Sequence, residues 1–136
     1  GHGSTQDAKF LDKMTKHHQD GIKMAEMAQT KATNAEVKQM SEKIVTDQTA
    51  ELEQIKKWRT EHLADVKPTG DEPKKMDMSS LEKKKGKEFD RAYLDMMVKH
   101  HSDGVRMAKD MAPNLTPLER LSLSRVVAFP LRSMWP

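Results

Sequence analysis

A fifteen-residue segment occurs twice in this chain of 136 residues, as Leu11-Asp-Lys-Met-Thr-Lys-His-His-Gln-Asp-Gly-Ile-Lys-Met-Ala25 and as Leu94-Asp-Met-Met-Val-Lys-His-His-Ser-Asp-Gly-Val-Arg-Met-Ala108. The two copies lie 83 residues apart and agree at ten of fifteen positions. The same offset relates Thr33-x-x-Glu36 to Thr116-x-x-Glu119, and this spacing is that of a capping box at the start of a helix. Each half of the chain is therefore predicted to form a helix, a short turn and a second helix.

The predicted fold is all-α, an antiparallel four-helix bundle made of two repeated helical hairpins. Apolar residues such as Val37, Met40 and Ile44 recur at three- and four-residue steps, as in an amphipathic helix. We expect one domain over residues 1–136, with a first hairpin (7–63), a linker (64–80), a second hairpin (81–129) and a tail (130–136). The helices are predicted at 7–30, at 34–63, from the capping box Ser79-x-x-Glu82 to Met111, and at 116–129.

The end of the chain departs from the repeat. After Glu119 the two halves no longer match, lysine disappears, and a strand-like run, Val126-Val-Ala-Phe129, stands where the first half has a charged helix. We expect the fourth helix to be short or irregular. The sequence leaves open whether residues 120–136 are a diverged tail or a shifted-frame or vector sequence.

Composition excludes several classes of function. The chain has no cysteine, so disulfides, thiolate metal sites and cysteine nucleophiles are excluded. The net charge of +3 is carried by the arginines of residues 120–136, which argues against a nucleic-acid partner. No apolar run is long enough to span a membrane. Gly1-His-Gly-Ser4 looks like a cloning remnant, so we expect that an export signal was removed ahead of it.

The repeated segments hold the candidate site. On a helical wheel at about 100° per residue, both histidines and two methionines of each copy face the bundle interior or its rim. Met14 and His18, like Met97 and His101, are four residues apart and can bind one ion together, whereas adjacent histidines diverge. The candidate metal ligands are Met14, His17, His18, Met24, Met97, His100, His101 and Met107.

Thioether and imidazole donors form a soft ligand set. This set suits Cu(I) and Ag(I), and the imidazoles also accept Cu(II). Methionine resists the oxidation that turns thiols into disulfides, which favours a periplasmic or secreted protein. Among the chain's 11 methionines, Met76-x-Met78 in the linker is a weaker candidate of the same kind. Metal ions are the expected partners, and a homo-oligomer is left open.

Two other functions compete with metal binding. Methionine at helical spacing commonly fills cores, so the repeat also fits a structural or interaction bundle without metal. A ferritin-like metal oxidase would need inward carboxylates, and the wheel places Glu26 outside. Within these motifs, Gly21 and Gly104 indicate close approach of another helix, and Asp20 and Asp103 either orient a histidine or make surface bonds. Gln48 on helix two is expected to bond to a neighbour.

The two His-His-x-Asp-Gly segments, together with Asp47-Gln48-x-x-Glu51 and Trp58, resemble the domain-of-unknown-function family numbered 305. The resemblance covers about residues 7–63 and 86–119. It implies a ferritin-like four-helix fold and a secreted or periplasmic location. We expect no enzymatic activity. The family includes CopM-type proteins that bind copper and silver, so the resemblance implies copper or silver binding at the eight candidate ligands.

Overall fold

The computed structural model describes residues 4–67 and 76–111, and in these ranges the chain is helical with no strand. The helices are α1 (Ser4–Lys31), α2 (Ala35–Leu63), α3 (Ser79–Lys83) and α4 (Gly86–Met111). The all-α prediction is confirmed. The predicted fourth helix (116–129), the tail (130–136) and much of the linker lie outside the described residues. No helix in the described ranges is both long and apolar enough to cross a membrane.

Helices α1 and α2 form an antiparallel hairpin closed by residues 32–34. Arg59 near the end of α2 donates to Asp12 near the start of α1 at 3.0 Å. The buried face of α2 recurs every three or four residues, because 3.6 residues complete a helical turn. Its members are Val37, Ser41, Ile44, Gln48, Leu52, Ile55 and Leu63.

The start of α2 differs from the predicted capping box. Asn34, not Thr33, is the N-cap, and its side-chain oxygen accepts the backbone N–H groups of Glu36 and Val37. The Thr33 hydroxyl instead donates to Asp90 of α4 at 2.8 Å, and the same carboxylate accepts the backbone N–H groups of Thr33 and Asn34. A charged acceptor forms stronger hydrogen bonds than a neutral one. Thr33 therefore bonds to the carboxylate of Asp90, and Asn34 caps α2 in its place. The prediction of a Thr33–Glu36 box is wrong.

The predicted third helix is interrupted. Helix α3 ends at Lys83 and α4 begins at Gly86, with Lys84 in an extended conformation. Gly86 has φ +60°, a left-handed conformation that glycine adopts without steric cost. The predicted Ser79 cap is also wrong, because Ser79 is the first residue of α3 and its N–H donates to Asp77 at 2.9 Å.

Helix α4 packs against α1, and two apolar clusters form the core. The Tyr93 cluster consists of Met24, Ala25, Ala28, Ala32, Val37, Ile44, Leu81, Phe89, Tyr93 and Met97. The Phe10 cluster consists of Ala8, Phe10, Leu11, Met14, Ile55 and Leu63. Between α2 and α4, the Tyr93 hydroxyl donates to Ser41 at 2.8 Å, while Ser41 donates to the Val37 carbonyl. Burial raises the pKa of Tyr93 to about 12, so it remains an uncharged donor.

Candidate metal centre

The two repeated motifs meet through a stacked pair of imidazoles. The rings of His17 and His100 are nearly parallel, 11° apart, with centroids separated by 3.6 Å. Nε2 of His17 donates to the carbonyl of His100 at 2.6 Å, and Nε2 of His100 donates to the carbonyl of His17 at 2.9 Å. Each histidine therefore bonds to the backbone of the other, across α1 and α4.

Glycines make room for this stack. A Cβ atom on Gly104 would lie 2.7 Å from Cε1 of His17, and one on Gly21 would lie 3.0 Å from Cε1 of His100. Both separations are too short for a Cβ in van der Waals contact, so each ring lies against the glycine of the other motif. The expectation that the glycines mark a close helix approach is confirmed. The pairing of Gly21 with His100 and of Gly104 with His17 also makes α1 and α4 antiparallel.

The stacked imidazoles are held neutral. Burial is the main cause that lowers the pKa of His17 to about 4 and the pKa of His100 to about 2. Because Nε2 carries the proton donated to a carbonyl, Nδ1 of each neutral ring carries a lone pair. Both Nδ1 atoms are buried and have no hydrogen-bond partner in the described part of the chain. The lone pairs of two buried nitrogen atoms, Nδ1 of His17 and Nδ1 of His100, are thus left without a hydrogen-bond partner in the described residues.

The second histidine of each motif has the opposite hydrogen-bond pattern. Nδ1 of His18 donates to the carbonyl of Met14 at 3.0 Å, and Nδ1 of His101 donates to the carbonyl of Met97 at 2.8 Å. Each lies 6.0 Å, centroid to centroid, from the neighbouring ring of its own motif. The four imidazoles therefore form a row, and adjacent histidines diverge as predicted.

Glu51 of α2 is a participant that the sequence analysis did not select. Its Oε2 lies 3.0 Å from Nε2 of His18, with one proton between the two atoms. Burial is the largest cause that raises the pKa of Glu51, and the hydrogen bond with His18 opposes it. The sequence contained the signal for it: Gln48 lies in the apolar stripe of α2, and Glu51, three residues later, lies on the same helix face.

The four predicted methionines flank the imidazole row. Met14 belongs to the Phe10 cluster, and Met107 packs against it. Met24 and Met97 belong to the Tyr93 cluster. Each cluster thus receives one methionine from each motif. The proposed sharing of one ion by Met14 and His18, or by Met97 and His101, stays a prediction.

The remaining motif residues have ordinary roles. Asp103 accepts from Arg106 at 2.7 Å, a surface bond as in one of the two expectations, whereas Asp20, which accepts from Lys16 at 2.6 Å, is buried. The expectation for Gln48 is wrong. It is buried, and its Oε1 has no hydrogen-bond partner in residues 4–67 and 76–111; this oxygen lies 2.7 Å from the position that a Cβ on Gly21 would take.

The described residues contain no group of three or more His, Asp or Glu side chains that could hold an ion. The histidines and methionines of the two motifs offer nitrogen and sulfur donors, a set that suits soft metals.

Comparison with known proteins identifies related chains. The family model for the domain of unknown function DUF305 matches residues 7–123. CopM in its Cu(II)-bound form is 30% identical with a TM-score of 0.80, covering 94% of this chain and 90% of CopM. CopM in its Cu(I)-bound form is 31% identical with a TM-score of 0.79, covering 94% and 89%. CopM co-crystallised with silver is 32% identical with a TM-score of 0.73, covering 94% and 86%.

A DUF305 protein from Streptomyces coelicolor has the same fold, with a TM-score of 0.81 at 23% identity over 96% of this chain and 87% of that one. No curated protein sequence matches. The three CopM structures contain bound copper or silver.

Proposed function

This chain belongs to the DUF305 family, and on that premise we propose that it binds Cu(I) and Ag(I), and also Cu(II), through the repeated motifs. The proposed ligands are drawn from Met14, His17, His18, Met24, Met97, His100, His101 and Met107. The proposed role is to sequester or transfer the ion, without a catalytic step. The metal-bound CopM structures, about 30% identical, support the choice of metal.

One observation carries this proposal. Nδ1 of His17 and Nδ1 of His100 are buried lone-pair donors with no hydrogen-bond partner in the described residues. A buried polar atom without a partner costs about 1–3 kcal/mol, so a ligand that satisfies it is bound more favourably. A soft cation can accept these lone pairs without a proton. Methionines of both motifs lie in the apolar clusters on either side of the imidazole row.

The absence of thiols supports the proposed location. Copper at thiolate sites is lost when the thiols oxidise, whereas thioethers and imidazoles keep their lone pairs in an oxidising compartment. The chain has no cysteine and 11 methionines. We therefore propose that the protein acts outside the cytoplasm, in the periplasm or as a secreted protein.

A structural role is the second candidate, and the hydrogen bonds favour it. Each of the four motif histidines donates to a backbone carbonyl, which would hold the helices together without metal. The two candidates differ in what a histidine replacement changes. A structural role predicts a loss of apo-protein stability at unchanged metal affinity.

Competition titration of the metal-free protein with Cu(I), against a colorimetric chelator, tests the proposal. We expect the double variant His17→Ala with His100→Ala to bind Cu(I) at least about tenfold more weakly, a difference of about 1.4 kcal/mol. His62→Ala is the matched control, because His62 is exposed at the end of α2, where its ring lies 5.0 Å from the ring of Trp58. Equal Cu(I) affinity in the double variant and in wild type would contradict the proposal.

A further inference from the structure

A cleft of about 520 Å³ lies between α1 and the segment that leads into α3. Three methionines line it: Met27 from α1, and Met76 and Met78 from the segment before α3. Carboxylates share the lining, as Asp20, Asp77 and Glu82 do, against the single ammonium of Lys23. The lining is therefore rich in thioethers, and with Asp20 paired to Lys16 it leaves the carboxylates of Asp77 and Glu82 against the ammonium of Lys23.

The three methionines differ from those that only fill the core. Met24 and Met97 have no exposed surface, as expected of residues enclosed by apolar neighbours. Met27, Met76 and Met78 pack one side against the Tyr93 cluster and remain partly exposed on the side of the cleft. The apolar contact holds each side chain in place while the thioether stays within reach of solvent.

We propose that this cleft is a second soft-metal site, in which Met27, Met76 and Met78 bind Ag(I) or Cu(I). Thioethers select soft monovalent ions, and a carboxylate-lined approach raises the local concentration of cations. A set of carboxylates alone would instead favour hard ions such as Ca²⁺ or Mg²⁺.

The site is separate from the imidazole row. Met27 lies ten residues beyond His17 on α1, about 15 Å along the helix at 1.5 Å per residue. None of the four motif histidines lines the cleft. The second site therefore does not rest on metal binding by the histidines, and each site can be lost without the other.

Titration of the full chain with Ag(I), which has no competing redox state, tests this proposal. In protein labelled with ¹³C at the methionine methyl groups, we expect the resonances of Met27, Met76 and Met78 to shift on saturation. The triple variant Met27→Leu, Met76→Leu, Met78→Leu keeps the apolar packing and is expected to lose one equivalent of Ag(I) by native mass spectrometry. Met40→Leu is the matched control, because Met40 packs on the same cluster but does not line the cleft.

The double variant His17→Ala with His100→Ala separates the two sites. Retention of the three methyl shifts in this variant supports the cleft even if the imidazole row binds no metal. Absence of the three shifts in saturated wild type overturns the cleft, whatever the histidine variant does, and this readout requires no methionine variant to fold. An unchanged Ag(I) stoichiometry in a folded triple variant overturns it as well.

Discussion

Replacing Gly104 by alanine tests the stacked arrangement most directly. The new methyl group would lie 2.7 Å from Cε1 and 3.0 Å from Nε2 of His17. His17 is not free to swing away, because its ring stacks on His100 at 3.6 Å and its Nε2 donates to the carbonyl of His100. Relief of the clash must therefore separate the helices or break that hydrogen bond.

The expected change in the free energy of unfolding is the sum of one favourable and two unfavourable effects. Alanine is favoured over glycine in a helix interior by about 1 kcal/mol. Overpacking a close contact costs about 1–3 kcal/mol, and breaking a buried hydrogen bond costs about 1–3 kcal/mol more. We expect Gly104→Ala to lower the free energy of unfolding by about 1–5 kcal/mol. Gly21→Ala should cost less, because its closest neighbour is the side-chain oxygen of Gln48, which can rotate.

Urea unfolding of the metal-free variants, followed by far-UV circular dichroism, measures these differences. Ser102→Ala, at an exposed position of α4, is the control for helix propensity alone. A Gly104→Ala protein that is as stable as wild type, or more stable, would refute the reasoning. It would mean that the His17 ring does not lie against Gly104.

Three further predictions concern charge and chain geometry. The pKa values of His17 and His100 are lowered from about 6.5 in the folded protein, so the unfolded state binds more protons below that pH. The free energy of unfolding should therefore fall from pH 6.5 towards pH 4, by up to about 1.4 kcal/mol per pH unit for each histidine. The pKa of Glu51 is raised, so its protonation stabilises the folded protein as the pH falls and partly offsets this loss. The midpoints of urea unfolding across that pH range measure the sum, and a stability that does not change with pH would contradict the prediction. Asp90→Ala removes three hydrogen bonds to the α1–α2 turn and should cost about 1–3 kcal/mol in urea unfolding, an expectation that fails if the variant matches wild type. Gly86→Ala should lower the free energy of unfolding by about 1 kcal/mol through its left-handed backbone alone, because nothing lies within 4 Å of the added Cβ. No change in stability would mean that the break between α3 and α4 can close into one continuous helix.

The parts of the fold set by local sequence could be predicted. Helical periodicity placed α1 and α2 to within a few residues, because the pattern of apolar side chains is a property of each segment alone. The same wheel directed His17, His18 and the two methionines of α1 towards the bundle interior or its rim. Gly21 and Gly104 correctly indicated a close helix contact, because glycine inside a helix is unfavourable without such a reason.

What could not be predicted depends on which segments meet. Thr33 had the spacing of a cap, but Asp90, more than fifty residues later, binds it and leaves the cap to Asn34. The stack of His17 on His100 depends on the register of α1 against α4, which neither motif contains by itself. Glu51 became visible as the partner of His18 only once α2 was packed beside α1.

The reciprocal pairing of glycine and histidine has a consequence for the origin of the chain. In a symmetric homodimer, residue i of one subunit contacts j of the other, and j contacts i. The contacts of Gly21 with His100 and of Gly104 with His17 follow this rule within one polypeptide. Two identical hairpins would make the same contact as a dimer whose stability depends on protein concentration. Duplication and fusion of such a hairpin gene would preserve the two-fold interface and remove that dependence, leaving each copy free to diverge away from the crossing.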